Sequence, residues 1–412
     1  MSSNIIKVSR NTEKAPRNSA ATQTVAFSHY NNFSAQLPID PKTGKIITGG
    51  IKEQTKQCLT NIKAIVESID HVMDDVVKIT VYLKNIEDID AVNEVYKTFF
   101  KSYLPTRTIV EVAALPTRGA LVQMDTIISN AEGTPSQDPL DLIKVARNTE
   151  DAPKNSTSTQ TIAFSHYNNI SGQLPIDPKS EKIVVGGVKE QATQSLKNIK
   201  AILENIDHVM DDVVRTTIYL RNLSDVKTIN EVYKKFFPSY LPAQTVVKAS
   251  ALPLDALIKI DAVVSHGDGT PPQLPEDDRF LVKEPINTEK APQNSISTQT
   301  VAYSHYNHIS GQLPIDVKTD EVITGGVKKQ ATQCLNNIKA ILESIDHLMD
   351  DIVKVNIQLK NMEDLEVVNA VYKTFFENDL PARTTIGVSA IPMDALVQMD
   401  AVASNAEGTP PA

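Results

Sequence analysis

The chain repeats one long unit three times, and this constrains its fold more than anything in its composition. Matching "NTE" segments open at Asn11, Asn148 and Asn287, and Gln36, Gln173 and Gln312 lie in "SAQLPID", "SGQLPID" and "SGQLPID". The copies are offset by 137 and then 139 residues, and each offset holds from the first landmark of a copy to its last. A unit of this length is a whole domain, not the roughly 20–50-residue turn of a solenoid. The two additional residues belong to the second junction. Both junctions, "NAEGTPSQDPLD" and "HGDGTPPQLPEDD", are rich in Gly, Pro and acids, as linkers are. We therefore expect repeats at 1–130, 144–266 and 282–412, with linkers at 131–143 and 267–281.

Charge narrows the function classes. With 41 Lys and Arg against 50 Asp and Glu, the formal net charge is −9. That argues against a surface that tracks nucleic-acid phosphates. The start, "MSSNIIKVSRNTEKAP", has no apolar h-region, and no run approaches the roughly 18 apolar residues of a membrane span. The expectation is a soluble, cytoplasmic protein. Cys58 and Cys334 occupy equivalent places in the first and third copies with Ser195 between them, which reads as reduced thiols and not a disulfide.

Each repeat reads as ββαβαββ. "TQTVAFSHYNNFSAQLPID" suits two strands and a tight turn. In "IKEQTKQCLTNIKAIVESI", Ile51, Cys58, Leu59, Ile62, Ile65, Val66 and Ile69 follow a 3.6-residue period and predict a helix with one apolar stripe. "DDVVKITVYLKN" alternates with period two, so a strand follows. Asn85 is placed to cap a second helix whose stripe is Ile89, Val92, Tyr96 and Phe99. "RTIVEVAAL" and "ALVQMDTIIS" supply the last two strands. Two helices cover one face of such a sheet, yet apolar residues also point the other way. The economical arrangement is three sheets facing one another around a pseudo-threefold axis, helices outside.

"SGQLPIDP", "QATQSLKNIKAILE", "DDVVRTTIYLRN", "INEVYKKFF" and above all "LPARTTIGVSAIP" resemble the RidA (YjgF/UK114) family of enamine/imine deaminases, across nearly all of each repeat. The resemblance implies a chorismate-mutase-like α+β subunit, normally a homotrimer with clefts between subunits. It also implies hydrolysis of 2-imino acids made by pyridoxal-phosphate dehydratases, with no cofactor or metal. Here one polypeptide supplies all three subunits, so a monomer acts as a pseudo-trimer. Tethering replaces association with an intramolecular step.

The resemblance also assigns roles to residues. Arg107 and Arg383 match the arginine that holds the substrate carboxylate, while the middle copy has Gln244. Arginine presents a planar fork of donors, which glutamine cannot reproduce. Ser34, Ser171 and Ser310 match a pocket serine beside Ala35, Gly172 and Gly311, and Asn93, Asn230 and Asn369 match another retained position. The family's water-positioning glutamate is replaced by Gln123, Lys259 and Gln398, and its pocket tyrosine by Ala21, Ser158 and Ser297. Glutamine orients a water but takes up no proton near neutral pH. Gln123 and Gln398 are thus the catalytic candidates, and a carboxylate-binding protein without turnover is the alternative. A ribonuclease or translation inhibitor fits the acidic charge poorly.

Asp125, Asp261 and Asp400 share the strand face of those glutamine and lysine positions and read as carboxylate donors or ion-pair partners. His71, His208 and His347, each followed within four residues by two Asp, read as turn residues with capping acids, without zinc-like ligand spacing. His29, His166 and His305 of "SHY" read as part of the hairpin turn.

Overall fold

The computed structural model describes residues 7–129, 144–266 and 283–405. Both expected linkers lie outside the described residues. In the first repeat, β1 (Val8–Arg10), β2 (Thr24–Phe27) and β3 (Tyr30–Phe33) precede a small hairpin, β4 (Ile39–Asp40) and β5 (Lys45–Ile46). Then come α1 (Ile51–Glu67), β6 (Val76–Leu83), α2 (Ile89–Tyr96), β7 (Thr106–Glu111) and β8 (Val122–Ser129). Six strands form one sheet in the order β1-β2-β3-β8-β6-β7, antiparallel except for β6 and β7, and the other repeats copy it. The α+β class is as the sequence predicts. The sheet gains β1, and β4–β5 is added beside it, because alternation over two or three residues carries no readable period.

Local chemistry sets the helices. Gly49 starts the entry to α1 at φ 121, and Glu53 accepts the Gly50 amide at 2.9 Å. Asp70, at φ 62, ends the helical stretch while the His71 amide reaches back to Val66, a left-handed C-terminal turn of the kind that satisfies orphan carbonyls. Asn85 accepts the Glu87 amide at 3.1 Å ahead of α2. The stripes of α1 and α2 pack on one sheet face to give each repeat its own core, built here from Leu59, Ile62, Val92, Tyr96 and Met124.

All of β6 is buried, because its other face meets the neighbouring repeats. One shared cluster takes Val25, Phe27 and Tyr30 with Ile162, Phe164 and Tyr167 and with Val301, Tyr303 and Tyr306. Hydrogen bonds give the ring a direction. Tyr30 donates to the Phe164 carbonyl at 2.5 Å, Tyr167 to that of Tyr303, and Tyr306 to that of Phe27. Ion pairs run the same way around a central cavity of about 120 Å³: Lys78–Asp261 at 3.4 Å, Arg215–Asp400 at 2.5 Å and Lys354–Asp125 at 2.6 Å. Each joins the β6-type strand of one repeat to the β8-type strand of the next, closing the cycle 1, 2, 3, 1.

Candidate functional site

The same cycle builds the clefts. The β3-type strand carries an irregularity, a register shift between Ile170 and Gln173 and again between Ile309 and Gln312. Bulges re-aim side chains in this way, and the residues re-aimed are the Ser-Gly pairs. The Ser171 hydroxyl, itself bonded to the Thr159 carbonyl at 2.6 Å, accepts the Arg107 amide of the preceding repeat at 2.8 Å. Ser310 accepts Gln244, and Ser34 accepts Arg383, at the same distance. The serines fix the backbone of the arginine position and leave its side chain to the cleft.

In each junction, therefore, the arginine position of one repeat faces the bulge and last strand of the next. Arg107 meets Ser171, Gly172 and Lys259 around a cavity of about 90 Å³. Arg383 meets Ser34, Ala35 and Gln123, with Asn369 and Ala21, around one of about 290 Å³. Gln244 meets Ser310 and Gly311, against which the Gln398 amide lies. The three clefts thus pair Arg with Lys, Gln with Gln, and Arg with Gln. Of the two glutamines put forward as catalytic, Gln123 stands beside an arginine and Gln398 beside Gln244. Asn369 lines the Arg383 cleft and donates to Glu366 at 3.3 Å, while Asn93 and Asn230 are half-buried on the equivalent helices.

Both arginines are nearly buried, at 4% and 5% exposure. Their Cζ atoms sit over tyrosine rings, Arg107 at 4.7 Å from the Tyr96 centroid and Arg383 at 5.1 Å from that of Tyr372. Burial pushes the Arg107 pKa down to about 10, which leaves it a cation at neutral pH, and burial also lowers that of Arg383. Arg107 also donates to Thr157, whose counterpart beside Arg383 is Ala20. Nη1 of each arginine is buried without a hydrogen-bond partner among the described residues, and so are Gln123 Oε1 and Asn369 Oδ1. Such groups cost about 1–3 kcal/mol, more when charged, unless a ligand or water satisfies them. In the sequence Tyr96 belongs to the apolar stripe of its helix, where nothing distinguishes a ring that also carries a guanidinium.

The remaining candidates lie elsewhere. Asp125, Asp261 and Asp400 sit on the central cavity as ion-pair partners, away from the arginine clefts. Asp75 accepts the Val72 amide at 2.9 Å and lies 3.0 Å from His71 Nδ1, and the other repeats match. His29, His166 and His305 do occupy hairpin turns, but the three turns meet one another, with ring centroids 4.7 to 5.0 Å apart.

Each inter-repeat cleft is thus built from two repeats of a three-sheet α+β scaffold, and in two of the three a buried guanidinium is stacked on a tyrosine ring. The profile of the family described as Endoribonuclease L-PSP matches residues 13–129, 150–266 and 288–405, and the chain belongs to this family, with three of its domains in tandem. A RutC family protein of Pyrococcus horikoshii is 44% identical over 28% of this chain and 92% of its own length. The human 2-iminobutanoate/2-iminopropanoate deaminase is 42% identical over 28% and 85%. Among solved structures, RidA from an Antarctic Psychrobacter is 33% identical with a TM-score of 0.28, covering 29% of this chain and 97% of that one. No helix among the described residues is long and apolar enough to cross a membrane.

Proposed function

We propose that the protein hydrolyses small reactive 2-imino acids, tautomers of enamines such as 2-aminoacrylate and 2-aminocrotonate, to 2-keto acids and ammonia, and that the Arg383–Gln123 cleft is its most complete site. One observation carries the reading. A buried cationic donor, Arg383 Nη1, and two buried acceptors, Gln123 Oε1 and Asn369 Oδ1, line one cavity without partners among the described residues. A 2-imino acid and a water complement that set. The carboxylate takes the guanidinium, and Gln123 Oε1 accepts a hydrogen bond from the water and aims its oxygen at C2. Attack gives a carbinolamine, and loss of ammonia gives the keto acid. Gln123 orients the water but stores no proton, so protons pass through solvent.

A second reading draws support from the same glutamine: the cleft binds 2-keto acids without turnover. The two separate in one assay, with 2-aminoacrylate and 2-aminocrotonate generated in place by a pyridoxal-phosphate serine/threonine dehydratase. Accelerated release of keto acid that falls in Arg383→Ala supports the hydrolase. Keto-acid binding without acceleration supports the binding protein, and neither would overturn both.

A further inference from the structure

The cleft between the first two repeats has a different chemistry. Lys259 stands where the other last strands carry Gln123 and Gln398, and it is 5% exposed. Its side chain runs along the bulge, so that a Cβ on Gly172 would meet Lys259 Cε at 2.6 Å, and its Nζ donates to the Ile109 carbonyl at 3.2 Å. The same cavity receives the Arg107 guanidinium with its unpartnered Nη1. A guanidinium and an amine thus share one small enclosure.

We propose that Lys259 is a Schiff-base-forming residue whose amine attacks C2 of a 2-keto or 2-imino acid held through its carboxylate by Arg107. The proposal rests on the reading of Arg107 as a carboxylate anchor. With a keto acid, the Nζ lone pair adds to C2 and the carbonyl oxygen takes a proton. The carbinolamine then expels that oxygen as water, leaving a C2=Nζ bond. With a 2-imino acid, the same attack expels ammonia and gives the same lysine imine, which water hydrolyses to keto acid and free lysine. The net reaction equals that proposed for the Arg383 cleft, by a covalent route that needs no protein base for the water. The amine must be neutral to attack. Burial, with the charge of Arg107 adding to it, lowers the Lys259 pKa to about 7 against the opposing effect of Asp261.

The test is trapping of the full chain with pyruvate and sodium borohydride, read by intact mass and peptide mapping. The expected product is a single adduct of about 72 Da on Lys259, absent in Lys259→Gln and at least tenfold weaker in Arg107→Ala at low pyruvate. In the unmutated protein the rate of adduct formation rises with pH around 7 and not around 10, which keeps the test decisive if a variant fails to fold. Arg107-dependent pyruvate binding by NMR without an adduct between pH 7 and 8.5 overturns the Schiff base and leaves the anchor intact. No pyruvate binding to this cleft overturns both. Labelling spread over surface lysines and retained in Lys259→Gln also overturns the Schiff base.

A separate observation carries a second inference, independent of the clefts. One imidazole nitrogen from each of His29, His166 and His305 lies within 4.8 Å of the others on the pseudo-threefold axis. All three rings are buried, and each follows a serine held at positive φ, 48 to 51, in its turn. We infer that this triad takes one divalent transition-metal ion such as Zn²⁺. An ion about 2.1 Å from three nitrogens needs each to move inward by at most about 0.7 Å, a side-chain rotation.

The check is elemental analysis of the chelator-stripped full chain after dialysis against Zn²⁺, with Co²⁺ absorption as a second readout. One ion per chain, retained in His71→Asn and lost in His166→Asn, is expected, with a Zn²⁺-dependent rise in Tm of the unmutated protein. No stoichiometric uptake, no rise in Tm, or uptake that survives replacement of all three histidines overturns it.

Discussion

Arg383 and Gln123 come from the third and first repeats, and the geometry between them makes the arginine positions unequal. Removing Arg383 takes away a stacked cation whose free Nη1 faces a cavity of about 290 Å³. Charge-assisted hydrogen bonds contribute about 1.5–3 kcal/mol each. Arg383→Ala is therefore expected to weaken keto-acid binding on the order of 10- to 100-fold at that cleft, whereas Gln244→Ala changes little. Calorimetric titration of both variants decides this, and three equal sites in the unmutated protein would contradict it. Lys259 gives a second expectation, for stability. Its folded pKa is about 7 and its reference value 10.5, so between those values the unfolded chain holds a proton that the folded chain lacks. Stability attributable to this group thus rises with pH across that window, and the penalty of the buried cation is fully present below it. Relative to the unmutated protein, Lys259→Met should gain most Tm near pH 6, with the difference narrowing toward pH 9.5. A pH-independent difference by scanning calorimetry would refute the assignment.

At the level of elements, the helices were legible because amphipathic stripes and caps are local. The joints between elements were not. Asn61 of α1 is one such joint, on the helix but fully buried, donating to the Leu37 and Ile39 carbonyls at 3.0 and 2.9 Å. Asn198 and Asn337 repeat it. Asn61→Ala leaves two carbonyls without this donor, at a cost of about 1–3 kcal/mol. Urea denaturation should show a lower midpoint with an unchanged slope. The bulge is a second joint. The sequence names Ser171 and Gly172 as pocket residues by resemblance, but that they break register and so aim at Arg107 depends on pairing with a distant strand.

For the whole molecule, three sheets bury one face against the helices and the other against one another, so the repeats share a core and a ring of buried charges. Asp400 accepts from Arg215 at 2.5 Å and from Asn356 at 2.7 Å. Asp400→Ala leaves the largely buried Arg215 guanidinium without this partner, and losing one partner of a buried pair costs about 3–5 kcal/mol. The expected outcome is a large fall in Tm, smaller in Asp400→Asn, which keeps a hydrogen-bond acceptor. Because each repeat completes the next within the chain, light scattering is expected to give the mass of one chain. An obligate trimer of chains would mean that the repeats pair between molecules.

The sequence by itself determined the threefold repetition, the α+β class, the helices and strands long enough to show a period, and the arginine, serine and glutamine positions. These are encoded in residues near one another or in motifs that recur at fixed offsets. Tertiary structure alone decided the direction of the ring, and with it which residues meet. A repeat specifies its own face but not which neighbour covers it, and both cyclic orders are compatible with three similar copies. The order that closes through Tyr30, Tyr167 and Tyr306 pairs Arg107 with Lys259 and Arg383 with Gln123. It leaves Gln398 facing Gln244, and brings three turn histidines to one axis. Those juxtapositions arise from packing between surfaces more than a hundred residues apart, where no local pattern in the chain records the partner.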